Sequence, residues 1–121
     1  MGAAVPPPTP ELAEISDIIG LDDTRELART FLADAPRLIA DLDNPAPADA
    51  SPASPPRCRL AAHSLKSTSR LVGAHPLSVL AATLELRLLA AGPMPSATEI
   101  EAIRAEFARF SPALVRFSGA R

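Results

Sequence analysis

Hydrophobic residues recur three or four positions apart through most of the chain, which is the spacing of one face of an α-helix. The first such run follows Thr9 and Pro10, a hydroxyl residue suited to the N-cap and a proline suited to the first helical position. The run ends at Gly20, so the pattern predicts a short N-terminal helix.

A longer run predicts a second helix that begins at Asp22 or Asp23 and ends near Asn44. Asp23 and Glu26 have the spacing of a capping box, in which two side chains bond to each other's backbone amides. Pro36 interrupts the run. Because a proline inside a helix removes a backbone hydrogen bond and clashes with the preceding turn, we expect a kink or local break within one element.

Five prolines among alanine, serine and aspartate predict a loop over Pro45–Pro56, because this composition favours neither helix nor sheet. A third helical pattern covers about 57–72 and ends at Gly73, a suitable C-cap. A fourth begins at Pro76 and ends before Gly92. The Pro-rich segment therefore connects the second and third helices.

The last helix has the clearest start, because Ser96 and Glu99 have the spacing of a capping box ahead of a regular apolar run. Pro112 is expected to bend its final turns. Four substantial helices, each with one apolar face, predict an all-α fold: an antiparallel, up-down four-helix bundle with a short extra N-terminal helix. We expect a single domain over residues 9–121, preceded by a disordered tail over 1–8.

The composition supports helices and argues against nucleic acid as a partner. Hydrophobic residues make up 47% of the chain but aromatic residues only 3%, so the core must be built largely from aliphatic side chains, which favours helices over sheets. A formal net charge of −2 gives no general attraction to phosphate polymers. The scarcity of aromatic residues leaves no platform for stacking bases.

Cysteine usage and hydropathy bear on cofactors and location. A single cysteine, Cys58, excludes an intrachain disulfide framework, and with two histidines it makes a poor set of metal ligands. We expect no bound metal. The N-terminus lacks the pattern of a secretory signal, and no apolar run approaches the roughly 20 residues of a membrane span. The expected location is the cytoplasm, without a membrane partner.

The candidate chemistry lies in the third helix, where His63 is followed one turn later by Lys66, the only lysine in the protein. On a helical wheel, three more polar side chains share the face of His63: Arg59, Ser67 and Arg70. The opposite side carries Ala61, Ser64, Leu65, Thr68, Leu71 and Val72. The wheel therefore predicts that His63 points outward among cations, which would neutralise the charge of an attached phosphoryl group.

Simpler interpretations of these residues stay open at this point. His63 can be a solvated surface histidine, and Ser67 an ordinary helix-surface serine. His75, at the start of the fourth helix, fits a capping or solvated role better than a chemical one. A hydrolase is disfavoured because no acid is evident to orient the imidazole beside Ser67. The scattered glycines form no phosphate-binding loop, so ATP binding is not expected.

The segment Arg59–Glu85 closely resembles a histidine-containing phosphotransfer (HPt) domain, and the helix order matches from about Asp22 to the C-terminus. The residues that carry the resemblance are His63, Leu65, Lys66, a small residue at position 67, Leu71, Gly73, Ala74, Leu77 and the pair Leu84–Glu85. Members of this family are four-helix bundles that shuttle phosphoryl groups between receiver-domain aspartates. This chain departs from the family's pattern at Ser67, where glycine is common.

The resemblance implies roles for individual residues. His63 would accept the phosphoryl group through Nε2, and Lys66 would stabilise that group. Arg87 would lie on the neighbouring helix near the imidazole. Three more residues, Arg59, Ser67 and Arg70, would contact the phosphoryl group or a docked receiver.

The same resemblance implies a phosphorelay intermediate rather than an enzyme. The expected partners are receiver domains of response regulators or a hybrid histidine kinase, with Mg²⁺ held by the receiver and no cofactor in this chain, which we expect to be a monomer. A different hypothesis is a binding module that docks and regulates a kinase or receiver without being phosphorylated. The sequence pattern of such a module would be nearly the same.

Overall fold

The computed structural model describes residues 5–43 and 54–119, with only the backbone described for 54–56. All regular elements in this part of the chain are helices, as the apolar pattern predicts. The helices are α1 (Pro10–Ile19), α2 (Leu21–Asp43), α3 (Ser54–Val72), α4 (His75–Leu89) and α5 (Ala97–Ser118). None of these helices, within the residues described, is long and apolar enough to span a membrane.

The four long helices pack in a ring, in which α3 contacts α2 and α4, and α5 contacts the same two helices from the other side. Helices α3 and α4 run in opposite directions. The Ser78 hydroxyl donates to the Lys66 carbonyl, whereas Glu85, which lies farther along α4, contacts the earlier residue His63 of α3. This arrangement leaves one face of α3 between α2 and α4 open to solvent.

The core inside this ring is almost entirely aliphatic, in agreement with the composition. Its largest fully buried side chains include Leu12, Leu65, Leu77, Leu84 and Leu114. Burying side chains of this size is the main favourable term in folding, at about 1.5–3 kcal/mol for each. The phenylalanines add aromatic contacts in which Phe31 lies 6.0 Å from Phe107 and 6.1 Å from Phe110, measured between ring centroids.

The predicted start of α2 is wrong. The helix begins at Leu21, which puts Asp23 inside its first turn instead of at a capping position. The reason is that Gly20, with φ +93°, serves both helices: its amide donates to Ser16 of α1 and its carbonyl accepts from Thr24 of α2. No separate N-cap residue is left between the two helices.

One proline segment agrees with the expectation and one does not. Pro36 lies within α2, which continues through it as the single element that was expected. The predicted loop Pro45–Pro56 is wrong at its end, because α3 begins at Ser54. Prolines in a first turn lose nothing by lacking an amide hydrogen, since that amide has no partner within the helix. Residues 1–4, 44–53 and 120–121 lie outside the described residues. The rest of the loop and the disordered tail over 1–8 therefore stay predictions; residues 5–8 are described and belong to no helix.

The N-terminus of α1 is fastened to the end of α3. The Thr9 hydroxyl accepts a hydrogen bond from the Leu12 amide as the predicted N-cap, and it donates to the Val72 carbonyl at 2.8 Å. Gly73 then ends α3 with φ +85°. A β-carbon at Gly73 would lie 2.6 Å from the Thr9 β-carbon, so glycine is needed for space as well as for conformation.

A second contact joins α1 to the start of α4. His75 is the first residue of α4 and caps nothing, since the N-cap is Ala74; its Nε2 lies 2.7 Å from a carboxylate oxygen of Glu11. A backbone hydrogen bond and the hydrogen bond with His75 lower the pKa of Glu11. The side chain of His75 therefore holds α1 in place, a role that differs from capping.

We expect Gly73→Ala to lower the free energy of unfolding by more than the roughly 1–2 kcal/mol of left-handed backbone strain, because the new methyl group also collides with Thr9. Gly119→Ala is the matched control: Gly119 has φ +78° but no atom within 4 Å of the added carbon. Urea unfolding of both variants measures the difference. Equal losses would contradict a rigid junction between α1 and α3.

Candidate functional site

The open face of α3 carries the side chains that the helical wheel assigns to it. His63 is 53% exposed, and Arg59, Ser67 and Arg70 are also exposed, whereas Lys66 is only 24% exposed. Leu71 differs from the expectation, because it is 46% exposed although the wheel places it on the apolar side. The imidazole is thus accessible to a second protein on the solvent side of the bundle.

One carboxylate from α4 holds both His63 and Lys66. Glu85 Oε2 lies 2.6 Å from His63 Nδ1, and Glu85 Oε1 lies 2.5 Å from Lys66 Nζ. The side chain of Glu85 is only 12% exposed. Its pKa is lowered chiefly by the hydrogen bond from Lys66 and also by that from His63, against the opposing effect of burial.

The ionised carboxylate determines which imidazole nitrogen is free. An ionised carboxylate accepts hydrogen bonds and cannot donate them, so Nδ1 of His63 must carry the hydrogen in its contact with Glu85. In the neutral ring the lone pair then belongs to Nε2. Nε2 has no hydrogen-bond partner among residues 5–43 and 54–119. The nitrogen with the lone pair is therefore the one without a partner in the described part of the chain, on a side chain that is 53% exposed.

The packing of α3 against α4 fixes this arrangement. Leu84, immediately before Glu85, is buried, and so is Leu65, immediately before Lys66, which anchors both helices on their inner sides. The hydrogen bond from Ser78 to the Lys66 carbonyl, 3.0 Å long, ties the two helices directly beside the site. Side-chain positions at the site are thus set by well-packed helices and not by a loop.

Arg87 does not join this site, contrary to what the family resemblance implies. Its guanidinium makes two parallel hydrogen bonds to Glu99, of 2.6 and 2.7 Å, and a third to the Pro93 carbonyl. A residue two positions after Glu85 lies about 200° farther around α4, which separates its side chain from that of Glu85. Arg87 fastens the start of α5 to the end of α4.

Glu99 also completes the predicted capping box with Ser96 at the start of α5. Its Oε1 accepts from the Ser96 amide while the Ser96 hydroxyl accepts from the Glu99 amide. The hydrogen bonds from Arg87, followed by that from the Ser96 backbone, lower the pKa of Glu99 to about 2. The cap and the ion pair thus share one carboxylate.

Glu85 is the residue that sequence reasoning missed as a functional group. No acid is evident in the sequence to orient the imidazole, where the pair Leu84–Glu85 is only a mark of family resemblance, but the structure places Glu85 on Nδ1 of His63. A signal was nevertheless present, because Glu85 is the only acidic residue of α4 and α3 contains none. A carboxylate that balances the single lysine of α3 therefore has to come from a neighbouring helix.

Metal binding finds no support among the described residues, where no group of three histidine, cysteine, aspartate or glutamate side chains is placed to hold an ion. Cys58 is buried, and burial raises the pKa of its thiol. A raised pKa keeps the thiol protonated and unreactive. Cys58 therefore acts as a small packed side chain of the core.

Comparison with known proteins assigns the chain to a family. The family model described as "Hpt domain" matches residues 26–113, which cover most of α2 through most of α5. The chain therefore belongs to the Hpt family, the histidine phosphotransfer modules of two-component phosphorelays, whose members carry phosphoryl groups and interact with receiver and kinase components. Neither the curated proteins nor the solved structures give a significant match. Helix α1 lies outside the matched region.

We expect Arg87→Ala to lower the free energy of unfolding by about 1 kcal/mol, because it removes a bidentate ion pair that joins two helices. Arg109→Ala, which removes an exposed pair with Glu106 within one helix, is the control and should cost less. Thermal or urea unfolding measures both. A larger loss for the control would contradict the structural role of Arg87.

The same pair gives a pH dependence. The folded-state pKa of Glu99, about 2, lies below its unfolded value of roughly 4.3, so the stabilisation is present above about pH 4 and is lost as the pH falls through about 2. Arg87→Ala should remove most of this contribution. Titration of the Glu99 carboxyl carbon by NMR measures the shift, and an unchanged pKa in the variant would refute the assignment.

Proposed function

We propose that His63 accepts a phosphoryl group on Nε2 from the aspartyl phosphate of a receiver domain and passes it on to another receiver aspartate. The observation that carries this proposal is the contact of Glu85 with both His63 Nδ1 and Lys66. It leaves Nε2 as the accessible nucleophile on an exposed helix face. Membership in the Hpt family supports the same chemistry.

The transfer step needs only the nitrogen lone pair. The Nε2 lone pair forms the new bond to phosphorus. The bond between phosphorus and the aspartate oxygen breaks, and the receiver's aspartate leaves as a carboxylate. The hydrogen on Nδ1 of His63 stays in its bond to Glu85. The positive charge that develops on the ring is stabilised by this carboxylate, as a triad aspartate stabilises imidazolium.

Lys66 supplies the compensating charge for the phosphoryl group. Its ammonium group lies one turn along α3 from His63 and is held by Glu85 Oε1 in the absence of phosphate. An ammonium group has three donors, so Lys66 can bond to a phosphoryl oxygen while it keeps its contact with Glu85. The exposed Arg59 and Arg70 add positive charge around the docking face.

Exposed leucines beside the site are suited to contact a receiver. Leu60, one turn before His63, is 64% exposed, and Leu86, next to Glu85, is 69% exposed. Apolar side chains that ring a reactive group exclude water when a partner docks. In this proposal the receiver holds the Mg²⁺, and the chain acts in the cytoplasm as a carrier without a cofactor or nucleotide of its own.

The central test is His63→Gln, with His75→Gln as the matched control, since both histidines are exposed and paired with a glutamate. Incubation with a phosphorylated receiver should label the wild type and the control but not His63→Gln, because glutamine has no nucleophilic nitrogen. The label should be acid-labile and base-stable, as a phosphoramidate is. Labelling of His63→Gln would refute the proposal.

The alternative of a non-phosphorylated binding module makes the opposite prediction for regulation. If the chain acts by docking alone, His63→Gln retains full regulatory activity on its partner kinase or receiver. If it acts as a relay, the same variant loses that activity together with the label. The contact of Glu85 with His63 and Lys66 favours the relay, because docking alone does not require an imidazole held in one tautomer.

The role of Glu85 is testable separately from that of Lys66. Glu85→Ala should shift neutral His63 away from the Nδ1–H tautomer and slow phosphoryl transfer, because Nδ1 loses its acceptor. Lys66→Ala should keep the tautomer but lose a charge-assisted contact to phosphate, which is worth about 1.5–3 kcal/mol in a desolvated site. Nitrogen-15 NMR reports the tautomer and rapid-quench kinetics the rate. An unchanged tautomer in Glu85→Ala would overturn the positioning role.

A further inference from the structure

A groove lies between α1 and the second half of α3, beside the site but outside the Glu85 contacts. It has a volume of about 310 Å³. Its lining consists of Glu11, Glu14, Ile15, Ser67, Arg70 and Leu71. Because the family match begins at residue 26, the wall that α1 contributes to this groove is not part of what the match assigns.

The groove is continuous with the face that presents His63. Ser67 stands one helical turn after His63 and also lines the groove. Helix α1 is held in this position at its N-terminus by the contact of Thr9 with Val72 and by that of Glu11 with His75. A protein seated over the imidazole therefore reaches the groove without any rearrangement of the bundle.

The groove presents one unpaired charge of each sign around an apolar floor. Glu14 on α1 and Arg70 on α3 are both exposed, and neither has an ion pair or side-chain hydrogen bond within residues 5–43 and 54–119. Ile15 and the exposed Leu71 supply the apolar lining. By contrast, most carboxylates in the described part of the chain form an ion pair with a basic side chain, as Glu85 does with Lys66 and Glu99 with Arg87.

We infer that the α1–α3 groove is a second contact for the receiver that docks over His63, and that it selects among receivers. This inference rests on the proposed function. The receiver that fits presents an apolar side chain to Ile15 and Leu71, a cation to Glu14 and a carboxylate to Arg70. Charges at the edge of an interface act mainly on association rate and on the rejection of wrong partners, which is the property a selective relay requires.

The test uses purified receiver domains from the organism that encodes this chain, each charged with acetyl phosphate and Mg²⁺. The receiver that transfers fastest to wild-type protein is then used with Glu14→Arg and Arg70→Glu. Each reversal should lower the second-order rate constant of transfer about tenfold at low salt, and less at high salt, because a like charge now faces the receiver. Glu101→Arg is the control, since Glu101 is exposed on α5, whose main contacts are with α2 and α4.

The outcomes separate this inference from the proposed function. Transfer that is normal in wild type and unchanged in Glu14→Arg overturns the groove contact and leaves the role of His63 intact. A loss in Arg70→Glu alone also overturns it, because α1 then contributes nothing. Phosphoramidate is a small phosphoryl donor that needs no docking. If neither phosphoramidate nor any receiver labels wild-type His63, both the proposed function and this inference are refuted. Circular dichroism of both variants verifies that the fold is retained.

Discussion

The site depends on one interaction, in which a largely buried carboxylate contacts two basic side chains. Glu85 bonds to Nδ1 of His63, which leaves the lone pair of the neutral ring on Nε2, and it holds Lys66 through its other oxygen. A carboxylate with a single partner would do only part of this. Because Glu85 comes from α4 and its two partners from α3, the site exists only where these helices pack in one register, which links the chemistry directly to the aliphatic core.

The remaining polar contacts keep that register. The Ser78 hydroxyl bonds to the Lys66 carbonyl beside the site, and the short connection at Gly73 and Ala74 fixes where α4 starts relative to α3. At the other end of α4, Arg87 joins α5 through Glu99. Polar groups in this fold therefore determine which alignment of the helices is adopted, while the leucines supply most of the driving force.

Features set by local sequence were predictable. The Thr9 cap, the Ser96–Glu99 capping box and the outward face of His63 follow from spacings of three or four residues, and the structure contains all of them. The start of α2 was not predictable from such spacings, because Gly20 serves two helices at once. The start of α3 was missed because a proline-rich composition does not distinguish a loop from a first helical turn.

Pairings between helices were the least predictable features of the site. Arg87 and Glu85 lie two residues apart, yet one turns to α5 and the other to α3. Only the rotation of α4 within the bundle decides between these directions, and α4 has apolar residues on more than one side. Family resemblance points to the histidine that Glu85 contacts but places Arg87 beside it, because a resemblance carries over positions and not the partners that a side chain meets in this chain.

The fastening of α1 by a few contacts at the end of α3 has a consequence for how such a protein can change over generations. Helix α1 precedes the matched family region, and nothing in the set of His63, Lys66 and Glu85 comes from it. Substitutions in this helix leave the contacts of Glu85 with His63 and Lys66 in place. After gene duplication, two copies are thus free to diverge in the partners that they bind, while both keep the same arrangement of His63, Lys66 and Glu85.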